Sequence, residues 1–380
     1  MNAPNPLIRF TDEQSMLLDT AVSFCREKSS LRAVRDRLTT EHGFERAIWD
    51  EMVALGWSGI AVPERFGGSG LSLAEVATIA EPMGRHLLAT PFVSTQLCIQ
   101  ALLACADEAL QSQWLPRLSQ GGIGTVALLE PEGDWDLTHV ESGLRRDGDS
   151  VHLSGVKTLV CDAAVADVLL VSVNLAGAPA LVVVPAADLP PGALQKEVVI
   201  DETARCARLT LDGLRLAASA VITGAAARAS LLAVRNAGLL LASAQAAGGI
   251  AGTLDVVVEY LNTRTTFGRK IGSYQSLKHT CADILVGMER ARSHVYHAAT
   301  LLADGHDALN ALRMAKVESG DTFAFAGDRA VQFHGGFGFT FECDAQLFLR
   351  RALWLQYSFG DAAHHRRRLA DALLGEVSAR

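Results

Sequence analysis

The first third of the chain carries apolar residues at helical spacing. Met16, Leu17 and Phe24 fall on one face of a helix, which is the periodicity of an amphipathic segment. Thr11, followed three residues later by a glutamine, has the spacing of a capping box that opens this helix. Prolines and glycine pairs then interrupt the helical pattern, as they do at turns and helix ends. We therefore predict an N-terminal helical domain over residues 1–122.

The middle of the chain changes to the short β-branched runs that are typical of strands. Val168–Val173 and Leu181–Val184 are such runs, and turns rich in glycine, proline and aspartate separate them. They predict an antiparallel β domain over residues 123–224. Long helical patterns then return, which predicts a helical domain over residues 225–380. Helices, then strands, then helices indicate an α+β protein with separate layers.

One stretch of the last domain, Ala237–Leu254, is apolar enough to suggest a membrane span. Ser243, Gln245 and three glycines make it a poor one. We predict a buried helix instead. The whole chain is 49% apolar with a mean hydropathy of +0.20, which is typical of a globular protein with large buried faces and suits a subunit of an oligomer.

Charge and cysteine usage narrow the functional classes. The net charge is −8 and the pI about 5.8, so we expect neither nucleic acid nor an anionic membrane as a partner. Seven cysteines are scattered without a CxxC pair, which favours reduced thiols and no metal site. Met1–Pro6 lacks the pattern of an export signal. We therefore expect a cytoplasmic protein.

Two glycine-containing segments carry candidate chemistry. Arg264–Gln275 combines an arginine, an aromatic residue and a glutamine; a guanidinium fits phosphate, and an amide can bond ring nitrogens. The alternative is a plain helix C-terminus, with Arg264 near the last carbonyls and Gly268 as the left-handed residue. Gln332–Gly338 contains adjacent glycines that let backbone N–H groups approach an anion or a ring. Its alternative is an ordinary turn between helices.

These segments belong to a longer series that resembles acyl-CoA dehydrogenases. Trp57–Ser72 is similar to the family's "GW…VPEEYGGxGLS" segment, Ala127–Pro131 to its "ALTEP" strand and Leu153–Lys157 to its "NGxK" turn. Arg264–Gln275 matches "RxxFGxxIGxxQ", and Gln332–Gly338 matches "QxxGGxG". The motifs occur in family order across nearly the whole chain.

The resemblance implies a fold and a cofactor. The expected fold is an N-terminal helical domain, a middle β domain and a C-terminal four-helix bundle, in a dimer or a dimer of dimers. The expected cofactor is FAD, bound across a subunit interface. The family reaction removes the α-proton of an acyl-CoA with a glutamate base while a β-hydride passes to the flavin. By motif match, the residues that serve the ADP half of a neighbouring subunit's FAD are Arg264, Phe267, Gln275, Gln332, Gly335 and Gly336.

The sequence departs from the family at the catalytic and flavin positions. The turn that usually carries the glutamate matches Ser358–Asp361, with Phe359 in the place of the base. A minority of the family place the glutamate where this chain has Gly238. The residues matched to flavin contacts are also altered, to Thr158–Val160, Leu129 and Trp135.

The residues matched to the ADP half of FAD follow the family, whereas those matched to the catalytic base and the flavin do not. This difference predicts a degenerate subunit. Such a chain would supply ADP-side contacts to FAD housed by a homologous catalytic partner, with its own pocket free to fill with Phe359, Leu129 and Trp135. Heteromeric members of the family, notably in bacterial steroid and bile-acid side-chain breakdown, resemble this arrangement. The implied partners are that subunit, an acyl-CoA substrate and an electron-transfer flavoprotein.

Three other interpretations stay open. The chain could be a homo-oligomeric dehydrogenase that uses Asp361 as its base. It could be a flavin-dependent oxidase or monooxygenase on the same fold, which needs no glutamate. It could also be a non-enzymatic acyl-CoA-binding or scaffold protein.

Overall fold

The computed structural model describes residues 10–137 and 139–375. Six helices precede the strands: α1 (Asp12–Lys28), α2 (Leu31–Leu38), α3 (Arg46–Ala54), α4 (Leu73–Arg85), α5 (Phe92–Ala104) and α6 (Glu108–Ser119). The strands that follow are β1 (Gly124–Ala127), β2 (Gly143–Asp147), β3 (Ser150–Ser154), β4 (Val156–Cys161), β5 (Val168–Leu175), β6 (Ala178–Pro185), β7 (Leu194–Glu197), β8 (Cys206–Thr210), β9 (Arg215–Ala217) and β10 (Val221–Ile222). The last part contains α7 (Gly224–Thr263), β11 (Thr265–Thr266), β12 (Arg269–Lys270), α8 (Gln275–Ala303), α9 (Leu309–His334), α10 (Ala345–Tyr357) and α11 (Ala362–Leu374).

The N-terminal helices begin as their sequence predicts. The Gln14 N–H donates to Thr11 Oγ1 (3.1 Å) and the Thr11 N–H donates to Gln14 Oε1 (3.0 Å), so the capping box of α1 is confirmed. Trp49 on α3 is fully buried and its indole donates to the Gly121 carbonyl (2.9 Å). This bond ties the helical layer to the start of the β region.

Strands β1 to β10 form two sheets, and β11 and β12 form a separate two-stranded ribbon. Six strands lie in the order β10-β6-β5-β2-β3-β9, with β1 beside β5, and a smaller sheet has the order β4-β8-β7. Most pairs are antiparallel, as predicted. The departures are β1 and β2, which both lie parallel to β5, so the larger sheet is mixed. Parallel pairing needs a long crossover, and the alternating pattern of each strand carries no information about the direction of its neighbour.

The C-terminal helices pack as a bundle around α7. This helix contacts α8, α9 and α10 of the same region and α4 and α5 of the N-terminal region. Gly248 lets α4 approach closely, because an added Cβ would lie 1.8 Å from the Glu81 carbonyl oxygen. Within the described residues, α7 is the helix long and apolar enough to cross a membrane, and 67% of its most apolar window is buried inside the protein. The predicted buried helix at Ala237–Leu254 is thus confirmed, as is the α+β architecture.

Candidate active site and cofactor-binding residues

A cavity of about 820 Å³ lies where the β region meets α5, α7 and the turn after α10. Its wall is mainly apolar. Val160 is buried without lining it. The sequence-predicted positions that do line the cavity are Leu129, Trp135, Thr158, Leu159, Gly238 and Phe359.

The two positions predicted for a catalytic glutamate meet in space. A Cβ added to Gly238 would lie 2.3 Å from Phe359 Cε1 and 2.4 Å from its Cζ, well inside van der Waals contact. The Phe359 ring therefore occupies the volume that any side chain on Gly238 would need. The Trp135 ring also packs against it, with the centroids 5.0 Å apart and a tilt of 32°. Neither aromatic ring can accept a proton from a substrate.

The backbone of the Phe359 turn is held by buried polar groups. Phe359 has a φ of +59°, a left-handed conformation that is costly for a residue with a side chain. The imidazole of His365 on α11 is 2.9 Å from the Phe359 carbonyl oxygen and donates to it through Nε2. Burial, together with the neighbouring Lys316, lowers the pKa of His365 to about 4, so the ring is neutral near pH 7. This arrangement stabilises the strained turn.

Asp361 also lines the cavity, but its carboxylate serves a helix. It accepts the His364 N–H at 2.7 Å and so caps the start of α11. Burial lowers the pKa of Lys316 to about 8, and the charges of Asp361 and Asp321 oppose that shift. The Lys316 ammonium donates to the Gln356 carbonyl (2.9 Å). The surroundings of Asp361 are thus those of a capping residue at a buried polar junction.

The cavity wall contains a carboxyl group that the sequence reasoning missed. Asp162 follows β4 directly and accepts a hydrogen bond from Ser94 Oγ on α5 (2.6 Å). Burial raises the pKa of Asp162 to about 6, although the Ser94 bond and the charge of Arg205 oppose the rise. Sequence reasoning missed the pair because Ser94 and Asp162 lie 68 residues apart and belong to no motif. The one sequence signal that could have identified Asp162 was its position as a single acidic residue directly after an apolar strand.

A second missed contact shapes the neighbouring strand. Glu197 on β7 accepts from Thr158 Oγ1 and from the Leu159 N–H, both at 2.6 Å. Leu159 has a φ of +53°, and the β4–β8 register shifts between Lys157 and Val160. The carboxylate thereby supports a bulge that presents Thr158 and Leu159 to the cavity.

The residues predicted for the ADP half of FAD lie at the other end of α7. Arg264 follows the last residue of that helix, and Gly238 is 26 residues earlier. At a rise of 1.5 Å per residue, the two positions are about 39 Å apart. One FAD molecule does not reach from the cavity to these residues. The two sets therefore lie at separate places on this chain.

The structure brings the two glycine-containing segments together at this end. Ile271 of the first segment, Phe333 of the second and Leu277 of α8 pack on the same small apolar cluster, which includes Leu261 of α7. The His334 ring stacks on Tyr260 at 4.1 Å, and its Nδ1 lies 2.7 Å from the Ala330 carbonyl oxygen. His334 is therefore a structural residue. The six predicted FAD residues Arg264, Phe267, Gln275, Gln332, Gly335 and Gly336 are all exposed on this surface.

The surface at the end of α7 has the open backbone and donor groups that the ADP half of FAD would need. The cavity lacks the hydrogen-bonding groups expected beside a flavin ring. A Cβ added to Gly335 or Gly336 would meet no other atom within 4 Å, so their backbone is open to a ligand. Phe267, at φ +52°, is 91% exposed. In the cavity, Phe359 and Trp135 stand where hydrogen-bonding groups were expected. The expectation that the side chains would fill the pocket is wrong, because they line a cavity that stays open.

Comparisons with known proteins identify the family. Residues 11–122 match the model of the acyl-CoA dehydrogenase N-terminal domain and residues 233–374 that of the C-terminal domain. The chain is 30% identical over 317 residues to acyl-CoA dehydrogenase FadE12 of Mycobacterium tuberculosis, covering 80% of this chain and 81% of that protein. It is 26% identical over 363 residues to acyl-CoA dehydrogenase IpdE2 of Mycolicibacterium smegmatis, covering 94% and 98%.

A solved structure supports the same assignment. The chain superimposes with a TM-score of 0.84 on a variant of the Tcur3481-Tcur3483 steroid ACAD, at 26% identity, covering 97% of this chain and 99% of that one. The family implies FAD as the cofactor and oxidation of an acyl-CoA as the reaction class. This chain belongs to the acyl-CoA dehydrogenase family.

Proposed function

We propose that this chain is the subunit without a catalytic base in a heteromeric, FAD-dependent acyl-CoA dehydrogenase. The observation that carries the proposal is the contact between Phe359 and Gly238. It fills the space of both possible glutamate positions with one aromatic ring. The α,β-dehydrogenation would then take place in a homologous partner subunit, and this chain would complete the partner's FAD site.

The exposed end of α7 supplies the chemistry that this role needs. The Arg264 guanidinium can donate two parallel hydrogen bonds to a diphosphate, and the backbone N–H groups at Gly335 and Gly336 can approach the same group closely. Gln275 and Gln332 offer amide groups to the adenine and ribose edges, and Phe267 offers an apolar ring face. When bound, FAD would accept the hydride removed from the substrate. This chain's residues bind and orient its ADP half.

The exposed aromatic residues near these positions support a partner surface. Phe267 is 91% exposed, Phe339 87%, Phe341 54% and Phe337 48%. Neighbouring exposed aromatic rings mark interaction sites on soluble proteins. The steroid ACAD that this chain resembles carries two names, Tcur3481 and Tcur3483, joined as one enzyme. We therefore propose a homologous subunit as the partner, a steroid side-chain acyl-CoA as the substrate and an electron-transfer flavoprotein as the electron acceptor.

The decisive experiment measures FAD content and acyl-CoA oxidation. The chain is purified alone and after co-expression with its candidate partner. We expect a colourless, inactive chain alone and a yellow, active complex with the partner. A lone chain that binds one FAD per subunit and oxidises an acyl-CoA would overturn the proposal. That outcome would favour a homo-oligomeric enzyme with Asp361 as base, and reduction of FAD by an electron donor other than an acyl-CoA would favour an oxidase or monooxygenase.

The Arg264→Ala variant tests the interface role within the complex. Loss of a hydrogen bond to a charged group costs about 1.5–3 kcal/mol, so we expect FAD to bind about 10- to 100-fold more weakly. Arg228→Ala is the matched control, because Arg228 is also exposed on α7 but lies near the opposite end of the helix. Equal FAD affinity in the two variants would contradict the interface role.

A further inference from the structure

Two cysteines face each other beside the cavity. Cys161, the last residue of β4, pairs with Cys206, the first residue of β8, in the antiparallel register. Their Sγ atoms are 3.5 Å apart. The cysteines lie 45 residues apart in the chain, in a protein whose cysteine spacing gave no sign of a pair.

The strand geometry at this pair suits a covalent bond. The Asp162 N–H donates to the Arg205 carbonyl (2.8 Å), so residues 162 and 205 form a hydrogen-bonded pair. Hydrogen-bonded and non-hydrogen-bonded pairs alternate along an antiparallel ladder, which makes Cys161 and Cys206 a non-hydrogen-bonded pair with Cα atoms about 4.5 Å apart. Disulfides span Cα separations of about 4.4–6.8 Å. The thiols therefore reach bonding distance with little movement of the backbone.

The two thiols differ in accessibility. Cys161 lines the cavity and is half-buried, whereas Cys206 is 4% exposed. Contact with the Cys161 thiol, together with burial, raises the pKa of the Cys206 thiol. Because Cys161 lines the cavity and Cys206 does not, Cys161 is the thiol that an oxidant entering the cavity meets first.

We propose that Cys161 and Cys206 form a reversible dithiol–disulfide modification site that reacts with a small hydroperoxide admitted through the cavity. The Cys161 thiolate attacks one peroxide oxygen, which breaks the O–O bond and releases water or an alcohol. The Cys206 sulfur then attacks the resulting sulfenic acid, forms the S–S bond and releases water. The two thiols lose two electrons and two protons, and the peroxide gains them.

The bond would act on the cavity wall. Cys161 ends the strand that carries the bulge at Thr158 and Leu159, and its carbonyl accepts from Thr125 Oγ1 (2.6 Å). Asp162 follows it and is bonded to Ser94 on α5. A cross-link between β4 and β8 would restrict the movement of the β4 bulge relative to β8 and α5. It would also close a long loop in the unfolded chain, which raises the midpoint of thermal unfolding.

The test counts thiols in the full-length chain. The reduced protein contains seven free cysteines; after hydrogen peroxide treatment, we expect five titratable thiols under denaturing conditions. Peptide mass mapping should identify a 161–206 linked pair that has lost two hydrogen atoms. Dithiothreitol should restore seven thiols and the original unfolding midpoint. Seven thiols after peroxide treatment, or a link between other cysteines, would overturn the proposal.

Three variants assign the roles. In Cys206→Ser, Cys161 should stop at a sulfenic acid that a dimedone probe captures. In Cys161→Ser, the thiol count should not change with peroxide. Cys281→Ser is the matched control, because Cys281 is a half-buried cysteine on α8, outside the cavity wall, and this variant should still lose two thiols. Disulfide formation in Cys161→Ser, or its loss in Cys281→Ser, would contradict the assignment.

Discussion

The contact between Gly238 and Phe359 can be measured by a double-mutant cycle. Gly238→Ala places a methyl group 2.3 Å from the Phe359 ring, about 1.2 Å or more inside normal contact. Overpacking of this kind costs about 1–3 kcal/mol. Alanine is favoured over glycine in a helix by about 1 kcal/mol. We therefore expect Gly238→Ala to lower the free energy of unfolding by about 1 kcal/mol.

The same substitution should reverse its sign when the ring is removed. In a Phe359→Gly background the clash is gone, and the gain in helix propensity remains. Gly238→Ala should then raise the free energy of unfolding by about 1 kcal/mol. The coupling between the two sites is thus about 2 kcal/mol, within the range found for residues in contact. Urea unfolding followed by tryptophan fluorescence measures all four proteins, and Trp135 reports locally because its ring packs on Phe359.

Gly249→Ala is the control for this cycle. It lies on the same helix, and an added Cβ would be 2.2 Å from Phe323 Cζ. Phe323 is fully buried and lies away from the cavity wall, so this substitution should be destabilising in both the wild-type and the Phe359→Gly backgrounds. Equal effects of Gly238→Ala in both backgrounds would refute the contact.

Two further predictions concern the cavity. Because the folded state raises the pKa of Asp162 from 3.8 to about 6, its contribution to stability is complete below pH 3.8 and is lost as the pH rises through 6. At pH 8 the free energy of unfolding measured in urea should therefore be about 1–3 kcal/mol higher for Asp162→Asn than for wild type. At pH 3.5 the two proteins should have the same free energy of unfolding. A difference that is constant with pH would contradict this. Phe359→Glu should not oxidise acyl-CoA when purified alone, although a working base is worth about 10²–10⁴ in rate; turnover with an artificial electron acceptor would contradict this.

Much of the fold was accessible from the sequence, because its signals are local. The capping box at Thr11 uses residues three apart, and the helix at Ala237–Leu254 was recognisable from its own composition. The parallel pairing of β1 with β5 could not be predicted from the sequence, because it joins residues more than 40 positions apart. The direction of a strand's neighbour depends on the path of the whole chain.

The shape of the candidate site could not be predicted from the motifs. The motifs identified Phe359 and Gly238 separately, as two places for one missing base. Their contact across 121 residues follows from the packing of α7 against the turn after α10, which no motif encodes. Whether Phe359, Leu129 and Trp135 fill a pocket or line one depends on backbone separation, and here a cavity of about 820 Å³ remains.

The motifs that match the family include contacts on which the fold itself depends. Glu130 of the "ALTEP"-like segment, just after β1, accepts from the ammonium of Lys157 on β4 at 2.7 Å, and Lys157 is fully buried. Burial alone would raise the pKa of Glu130, but the hydrogen bonds from Lys157 and Ser142 lower it to about 2. Removing one partner of such a buried pair costs about 3–5 kcal/mol. These motif residues are therefore needed whether or not the chain performs the reaction.

The positions that differ from the family motifs are therefore more informative about function than the positions that match. Phe359 packs on both Gly238 and Trp135, so a change at position 359 alters the space available to the other two. A single reversion to glutamate at position 359 would place a carboxylate beside Trp135 and Leu129 without restoring the groups expected to meet a flavin. A glutamate at position 238 would collide with the Phe359 ring. The Phe359 ring is thus held in the cavity wall by its packing against Gly238 and Trp135, whereas the end of α7 near Arg264 is exposed.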